Sequence, residues 1–467
     1  MDKKYDLAIV GGGPGGYVAS IRAAQLGKKV ALIEKDRLGG TCLNYGCIPT
    51  KYLLYQTKIY KEIKESKNLK GPLQDIKCDW EKIQKEKSKV VEKVVKGVEF
   101  LLKRNGVEVV KGIGFLKNEK QIFVKNQGEE KILEAQKIIL ATGSKAASLP
   151  FLAPNGKEVV TSREALEFDS IPREMLVVGA GAIGLEIGSI YQRLGSKVTI
   201  LEIMPTILPG SDEEMVKRLE RILKNKGLKI QTQMRIESAQ IREGKVSVQG
   251  ICLETQSRFE SEAEKVLLAT GRKPDSDVLA EKVLKALLDS QGFLKVNSFL
   301  ETEMPGIYAI GDMTGGKLLA HKASHQGILA AENAWGAKRE MDYNALPLAV
   351  YTEPEFSSVG FTEEEARERG IGIKVGLFPL QALGRGLTMK AEEGLVKIIA
   401  DDKDKIVGAH LVAPNASELI SELTLSMSKG LRIQDVSSSI HIHPTLSEAV
   451  MEAALKAEGK AIHILNT

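Results

Sequence analysis

The chain has 467 residues, 43% of them hydrophobic and 27% charged, with a net charge of +5 from 66 basic and 61 acidic side chains. That length exceeds what one core organises and predicts two to four domains. So small a charge excludes a protein built around nucleic acid or an anionic membrane.

No apolar run approaches the roughly 18 residues of a membrane span. The opening "MDKKYDLAIVGGGPGG" lacks the apolar region of a signal peptide, so a cytoplasmic protein is expected. The first pattern is "YDLAIVGGGPGGYVASIRAAQLGKKVALIEK", read as strand, glycine loop, helix and second strand. Gly11, Gly13 and Gly16 fit G-x-G-x-x-G, Pro14 suits a helix start, Gly27 suits its end, and Glu34 closes the second strand. Such glycines let backbone N–H groups approach a pyrophosphate at a helix N-terminus, and the acid accepts from a ribose hydroxyl.

Next comes "GGTCLNYGCIPTK", with Cys42 and Cys47 in a chain of four cysteines. Four cysteines are too few for a disulfide scaffold. The pair lacks the ligands of a structural zinc site, and His321 and His325 at i, i+4 lack the glutamate of H-E-x-x-H, so no metal is expected. A staple closing so short a loop gains little chain entropy. In a regular helix residues five apart exceed the ~7 Å that bonded Cα atoms allow, so the segment must bend, and Gly46 and Pro49 permit it. A redox pair is the reading these residues favour. Cys78 and Cys252 read as small core residues. "TKIYKEIKESKNLK" places Ile59 and Ile63 at helical spacing among lysines, a solvated helix face.

The pattern then repeats. "EMLVVGAGAIGLEIGSIYQRLGSKVTILE" carries Gly179, Gly181 and Gly184, and Glu202 stands 18 residues after the last glycine, as Glu34 does in the first copy. "KIILATGS" and "KVLLATGR" end the two copies alike. Two complete fingerprints predict two dinucleotide sites. "GIYAIGDM" reads as a short strand ending at Gly311 and Asp312, and "GGKLLAHKASHQGILAAENAW" as a loop entering a helix. Beyond Pro347 the periodicity predicts an antiparallel sheet flanked by helices and no third fingerprint. In "HIHPTLSEAVMEAAL", Pro444 is expected to open a helix with His443 outside it and Glu448 about one turn in. A carboxylate there would orient the imidazole as a general base; His441 reads as a helix-edge histidine.

Together these motifs, with "YTEPEFSSVGFTEEEA" and "VAPNASELI", resemble the flavin-dependent pyridine nucleotide-disulfide oxidoreductases, and within them the dihydrolipoyl dehydrogenase branch. The resemblance implies an α/β fold with two Rossmann-like domains, one for FAD and one for NAD, and a C-terminal α+β dimerisation domain. It implies an FAD domain from residues 1–146 and 275–346, an NAD domain from 147–274, and an interface domain from 347–467. FAD would be held by Gly11, Gly13, Gly16, Glu34, Lys51, Gly114, Thr142, Gly143, Ser144, Asp312, Leu318, Leu319, Ala320 and His321. NAD would be held by Gly179, Gly181, Gly184, Glu186, Glu202, Ile236 and Gly271. In the implied reaction His443, oriented by Glu448 and supplied by the other subunit of a homodimer, deprotonates dihydrolipoamide. The thiolate attacks Cys42; Cys47 faces the flavin and passes it the electron pair, which NAD receives as hydride, with Lys51 and Glu186 paired beside the flavin. The implied partner is a lipoylated protein of a 2-oxo-acid dehydrogenase complex or the glycine cleavage system. Thr50 stands where the family often has serine. The rivals are a glutathione-type reductase, which would want arginines where "EIMPTILPG" has none, and a non-catalytic nucleotide-binding or redox-signalling protein.

Overall fold

The computed structural model describes residues 4–72, 75–276 and 287–466. The first three residues, used in reading the N-terminus, and residues 277–286 of the expected second FAD segment lie outside the described residues.

The first apolar run forms β1 (Lys4–Val10), followed by α1 (Pro14–Gln25) with Pro14 in its first turn, and β2 (Val30–Glu34). Then come α2 (Gly40–Tyr45), α3 (Cys47–Lys64) and α4 (Trp80–Arg104). Four strands follow: β3 (Glu108–Lys111), β4 (Ile113–Asn118), β5 (Gln121–Asn126) and β6 (Glu129–Leu140). β3, β2, β1 and β6 run parallel in that order, and the distant strand Ile307–Ala309 adds in parallel to β6. β5 and β4 extend the sheet antiparallel. All five residues of β2 are buried, as expected where both faces of a parallel sheet are covered.

A second parallel sheet has the order Lys229–Gln231, Lys197–Leu201, Glu174–Val178, Lys265–Leu268 and Val159–Val160. The helices Ala182–Arg193 and Glu213–Asn225 belong to this unit. The second of these buries Met215, Val216, Leu219, Ile222 and Leu223, each contributing about 1.5–3 kcal/mol by burial. An antiparallel sheet of Met234–Arg242, Lys245–Cys252 and Arg258–Ala263 packs beside it. The C-terminal sheet is antiparallel, ordered Leu348–Val350, Glu355–Gly360, Ile406–Ala413, Leu395–Asp401 and Ile373–Pro379. The helices Ala416–Ser428 and Glu448–Ala457 cover it.

Lys397 joins the second and third units. Its ammonium is fully buried and meets Asp212 at 2.9 Å, Glu214 at 2.7 Å and Glu363 at 2.6 Å. Burial alone would depress its pKa; the carboxylates outweigh that and hold the group charged.

Four expectations change. The strand before Asp312 stops at Ala309, and Asp312 lies in a 3-10 turn, Gly311–Thr314. Pro444 does not open a helix, because the last helix begins at Glu448 itself. Cys78 and Cys252 are half-buried, not core residues. The lysine-rich face is only partly solvated: Lys58 reaches Glu353 at 3.3 Å and Lys61 donates to the Lys226 carbonyl, so α3 uses its lysines to grip neighbouring units.

Candidate active site

Two glycines in left-handed backbone, Gly39 at φ 88° and Gly40 at φ 54°, turn the chain from the end of β2 into α2. Asn44 locks that turn by donating to the Leu38 and Gly40 carbonyls at 2.9 Å each. The bend required between the cysteines occurs at Gly46, whose φ of −142° and ψ of −112° separate α2 from α3. Pro49 sits in the first turn of α3, where a missing N–H costs nothing.

Cys42 and Cys47 are brought together as hydrogen-bonded free thiols. That hydrogen bond, opposed by burial and assisted by the Lys51 ammonium one turn along α3, brings the Cys47 thiol down to about 7. The same hydrogen bond and burial push the Cys42 thiol up. Cys47 also opens an 18-residue helix, whose N-terminal dipole favours a thiolate.

Lys51 forms a two-point ion pair with Glu186 of the helix Ala182–Arg193, at 2.8 and 3.0 Å. Burial opposes the Lys51 charge, but Glu186 more than offsets it and its pKa is raised. The Glu186 carboxylate also accepts from the Tyr351 backbone N–H at 2.9 Å.

The two glycine loops share the same backbone features. Gly11 (φ 105°) and Gly179 (φ 106°) occupy the same left-handed conformation. A Cβ on Gly16 would lie 1.8 Å from the Gly11 carbonyl oxygen, and one on Gly184 would lie 2.0 Å from that of Gly179. Glu34 accepts from the Gly12 N–H at 2.6 Å and Glu202 from the Ala180 N–H at 2.7 Å, so each acid is steered back over its own loop. Neither following helix has a side-chain cap: Gly13 and Gly181 leave the first N–H groups free of side-chain acceptors. We therefore expect Gly16→Ala to eliminate bound chromophore and lower stability by about 1–3 kcal/mol or more. Visible absorbance per chain after gel filtration, with Gly97→Ala as an unaffected control in open space, checks this.

At the C-terminal ends of β6 and of Ile307–Ala309, Asp312 is hydrogen-bonded to the Ser144 hydroxyl. Arg272 donates to Ser144 Oγ at 2.7 Å and to its carbonyl at 2.6 Å. Thr142 donates to the Asp275 carbonyl at 2.8 Å, and Gly143 and Gly271, both left-handed, have no atom within 4 Å of a Cβ position. Leu318 and Leu319 lead into the helix Ala320–Asn333; His321 lies in its first turn, its Nε2 2.8 Å from the Pro347 carbonyl. Gly114 is buried in β4 against Val10 and Ile33. Ile236 lies in the antiparallel sheet beside the second unit, packed with its core. Sequence reasoning gave no role to Arg272 or Tyr351, although both sit inside quoted motifs, "ATGR" and "YTEPEF".

His443 Nδ1 lies 2.8 Å from Glu448, which also accepts from the Thr445 N–H at 2.8 Å. The imidazole is 78% exposed. Among the described residues it makes no hydrogen bond to either cysteine within the chain. His441, read as bland, pairs with Glu422 at 3.0 Å. Among the described residues no group of three His, Cys, Asp or Glu side chains is placed to hold a metal.

Residues 5–327 match the pyridine nucleotide-disulphide oxidoreductase family, and residues 346–454 match its dimerisation domain. The chain belongs to this family. Such oxidoreductases are flavin-dependent and use FAD and NAD(H). The chain is 42% identical to a dihydrolipoyl dehydrogenase of Thermus scotoductus, over 99% of this chain and all of the relative. It is similar in structure to LpdA from Mycobacterium tuberculosis, with a TM-score of 0.88 and 26% identity over 97% of this chain and 99% of that one. It is also similar to a flavoprotein disulfide reductase, RclA, from Escherichia coli, solved as a Cu(II) complex, with a TM-score of 0.86 and 27% identity over 97% of this chain and 99% of that one. This oxidoreductase has residues that fit the family's dinucleotides: two uncapped helix N-termini, steered acids at Glu34 and Glu202, and open backbone at Gly143 and Gly271. Among the described residues no helix is long and apolar enough to cross a membrane.

Proposed function

We propose that this oxidoreductase oxidises dihydrolipoamide, carried on a lipoylated partner of a 2-oxo-acid dehydrogenase complex or the glycine cleavage system, with NAD as acceptor. The full-length likeness to a dihydrolipoyl dehydrogenase supports this reading. The single observation that carries it is the thiol pair Cys42–Cys47 beside the Lys51–Glu186 ion pair.

The residue roles are those the family resemblance implies, and the chemistry of the site supports them. FAD, held by the first glycine loop, Glu34, the Thr142–Ser144 turn, Asp312 and the start of the helix Ala320–Asn333, supplies two-electron transfer between dithiol and nicotinamide. The second loop, Glu186, Glu202, Ile236 and Gly271 hold NAD. His443 presents Nδ1 to Glu448, which leaves Nε2 to take the proton of an incoming thiol. The substrate thiolate attacks Cys42 of the oxidised pair; the Cys42–Cys47 bond breaks and Cys47 leaves as a thiolate. The Lys51 ammonium and the α3 N-terminus stabilise that leaving group. The second substrate thiol then displaces Cys42, so the dithiol loses two electrons and two protons and the enzyme gains both thiols.

We further propose a cytoplasmic homodimer in which the partner supplies His443, which the match to the dimerisation domain and the exposure of that imidazole support. We assign residues 1–146 and 275–346 to the FAD domain, 147–274 to the NAD domain and 347–467 to the interface domain. The return of strand Ile307–Ala309 to the first sheet supports the discontinuous first domain. The test presents dihydrolipoamide and reduced glutathione in turn, each with NAD and NADP. NAD reduction with dihydrolipoamide alone is expected, at least about a hundred-fold faster than any other pairing. Preference for glutathione and NADP would replace this reading with the glutathione-type one.

A further inference from the structure

Three units of the chain meet at one ion pair. Lys51 comes from α3, which follows β2 and α2 in the first unit; Glu186 comes from the second unit; and Tyr351 comes from the segment just after strand Leu348–Val350 of the C-terminal sheet. Tyr351 touches both charges. Its backbone N–H donates to one Glu186 oxygen at 2.9 Å, and its ring lies under the Lys51 ammonium, 4.4 Å from Nζ to centroid. The ring is half-buried and packs against the core that the second and C-terminal units share. An ammonium over a partly desolvated aromatic face is held by the ring quadrupole, and a lysine stem has several rotamers to lose.

We propose that Tyr351 is a positioning residue of the redox centre: its ring fixes the Lys51 ammonium one turn from Cys47 while its amide fixes the Glu186 carboxylate. The C-terminal unit thereby governs the electrostatics of a thiol that lies in the first unit. Tyr351 acts through Lys51 and is not itself given a step in the chemistry. Without the ring, the backbone amide of residue 351 still holds the Glu186 carboxylate, but the Lys51 stem is free to take other rotamers around it, and the thiolate at Cys47 loses part of its cationic neighbour.

The inference deepens the reading above, and it is tested on the thiol, so its failure is distinguishable from failure to oxidise dihydrolipoamide. Charged groups face Cys47 from several elements: Cys42 on α2, Lys51 on α3, Glu186 on Ala182–Arg193 and Arg272 on strand Arg272–Pro274. Holoenzyme carrying Cys42→Ser keeps a hydroxyl donor beside Cys47 and leaves one thiol in the site. Alkylation of the Cys47 peptide by iodoacetamide, followed by mass spectrometry across pH, gives the thiolate midpoint. In this background Tyr351→Leu is expected to raise the midpoint by roughly half a unit to one unit, and Tyr351→Phe, which keeps the ring, to leave it in place. Two results overturn the proposal: an unshifted midpoint in Tyr351→Leu, or an equal shift in Tyr351→Phe, which would assign the effect to the hydroxyl. Should Tyr351→Leu fail to yield soluble holoenzyme, Tyr351→Met and Tyr351→Trp replace it. Met, without a ring, is then expected to raise the midpoint and Trp to leave it in place; the same midpoint in both overturns the proposal.

Discussion

Cys47→Ser lowers dihydrolipoamide-dependent NAD reduction by at least about a thousand-fold, because nucleophilic exchange through a protein disulfide has no alternative route once one sulfur is gone. The informative part is what the variant still does. Cys42 is half-buried in α2 and remains a thiol, so with an acyclic disulfide such as hydroxyethyl disulfide, whose leaving thiol diffuses away, it forms a mixed disulfide that no second thiol resolves. Intact mass of the variant is expected to rise by one mercaptoethanol moiety, with the adduct mapped to Cys42. Cys42→Ser loses activity equally but accumulates no such adduct at Cys47, which the assigned order turns away from the incoming disulfide. Wild-type turnover in Cys47→Ser, or an adduct on Cys47 in the converse variant, would reverse the assigned order of the two sulfurs.

The second large effect is that of His443→Gln, expected to cost about 10²–10⁴ in kcat/KM for dihydrolipoamide. Glu448 orients the imidazole through Nδ1 at 2.8 Å and is itself fixed by the Thr445 N–H. Burial opposes the ionised Glu448 carboxylate, but the Thr445 and His443 contacts prevail and hold its pKa down, so Glu448 stays an acceptor throughout the neutral range. Glu448→Gln is accordingly expected to cost less, about ten- to a hundred-fold, since an amide oxygen still accepts from Nδ1–H. Electron transfer from NADH to a small quinone, which bypasses the thiols, is expected to stay near the wild-type rate in both variants. A parallel loss in that assay would mean that these residues support the fold rather than the proton transfer. The imidazole makes no hydrogen bond to the cysteines within its own chain, so mixing inactive His443→Gln with inactive Cys47→Ser subunits offers a further check. Restored activity in the mixed dimers is expected only if the base crosses the subunit boundary.

The sequence by itself determined the elements that depend on local rules. Strand runs such as "DLAIV" and "KVALIE", the glycine spacings, Pro14 at a helix start and Gly27 after its end all act through the backbone of a few neighbouring residues, and they formed where they were read. The duplicated loop was equally legible, since its glycines and acids recur at fixed spacing. The bend between Cys42 and Cys47 followed from covalent reach alone. Where local signals competed, the reading slipped. Pro444 is a sound helix opener by rule, yet the Glu448 carboxylate takes the Thr445 N–H and the helix waits for it. The strand before Asp312 ended early because Gly311 turns left-handed and Gln326 accepts its N–H at 2.7 Å. The Lys51–Glu186 pair was implied by the family resemblance, not by spacing, and it forms; what only the tertiary structure decided lies between other distant residues: Ser144 with Arg272 and Asp312, Lys397 with three carboxylates, and Tyr351 under an ammonium three hundred positions away in the chain. No periodicity encodes such pairs. They exist because packing three units around shared cores leaves each buried charge only the partner that the other units bring, and an unpartnered charge there costs several kcal/mol.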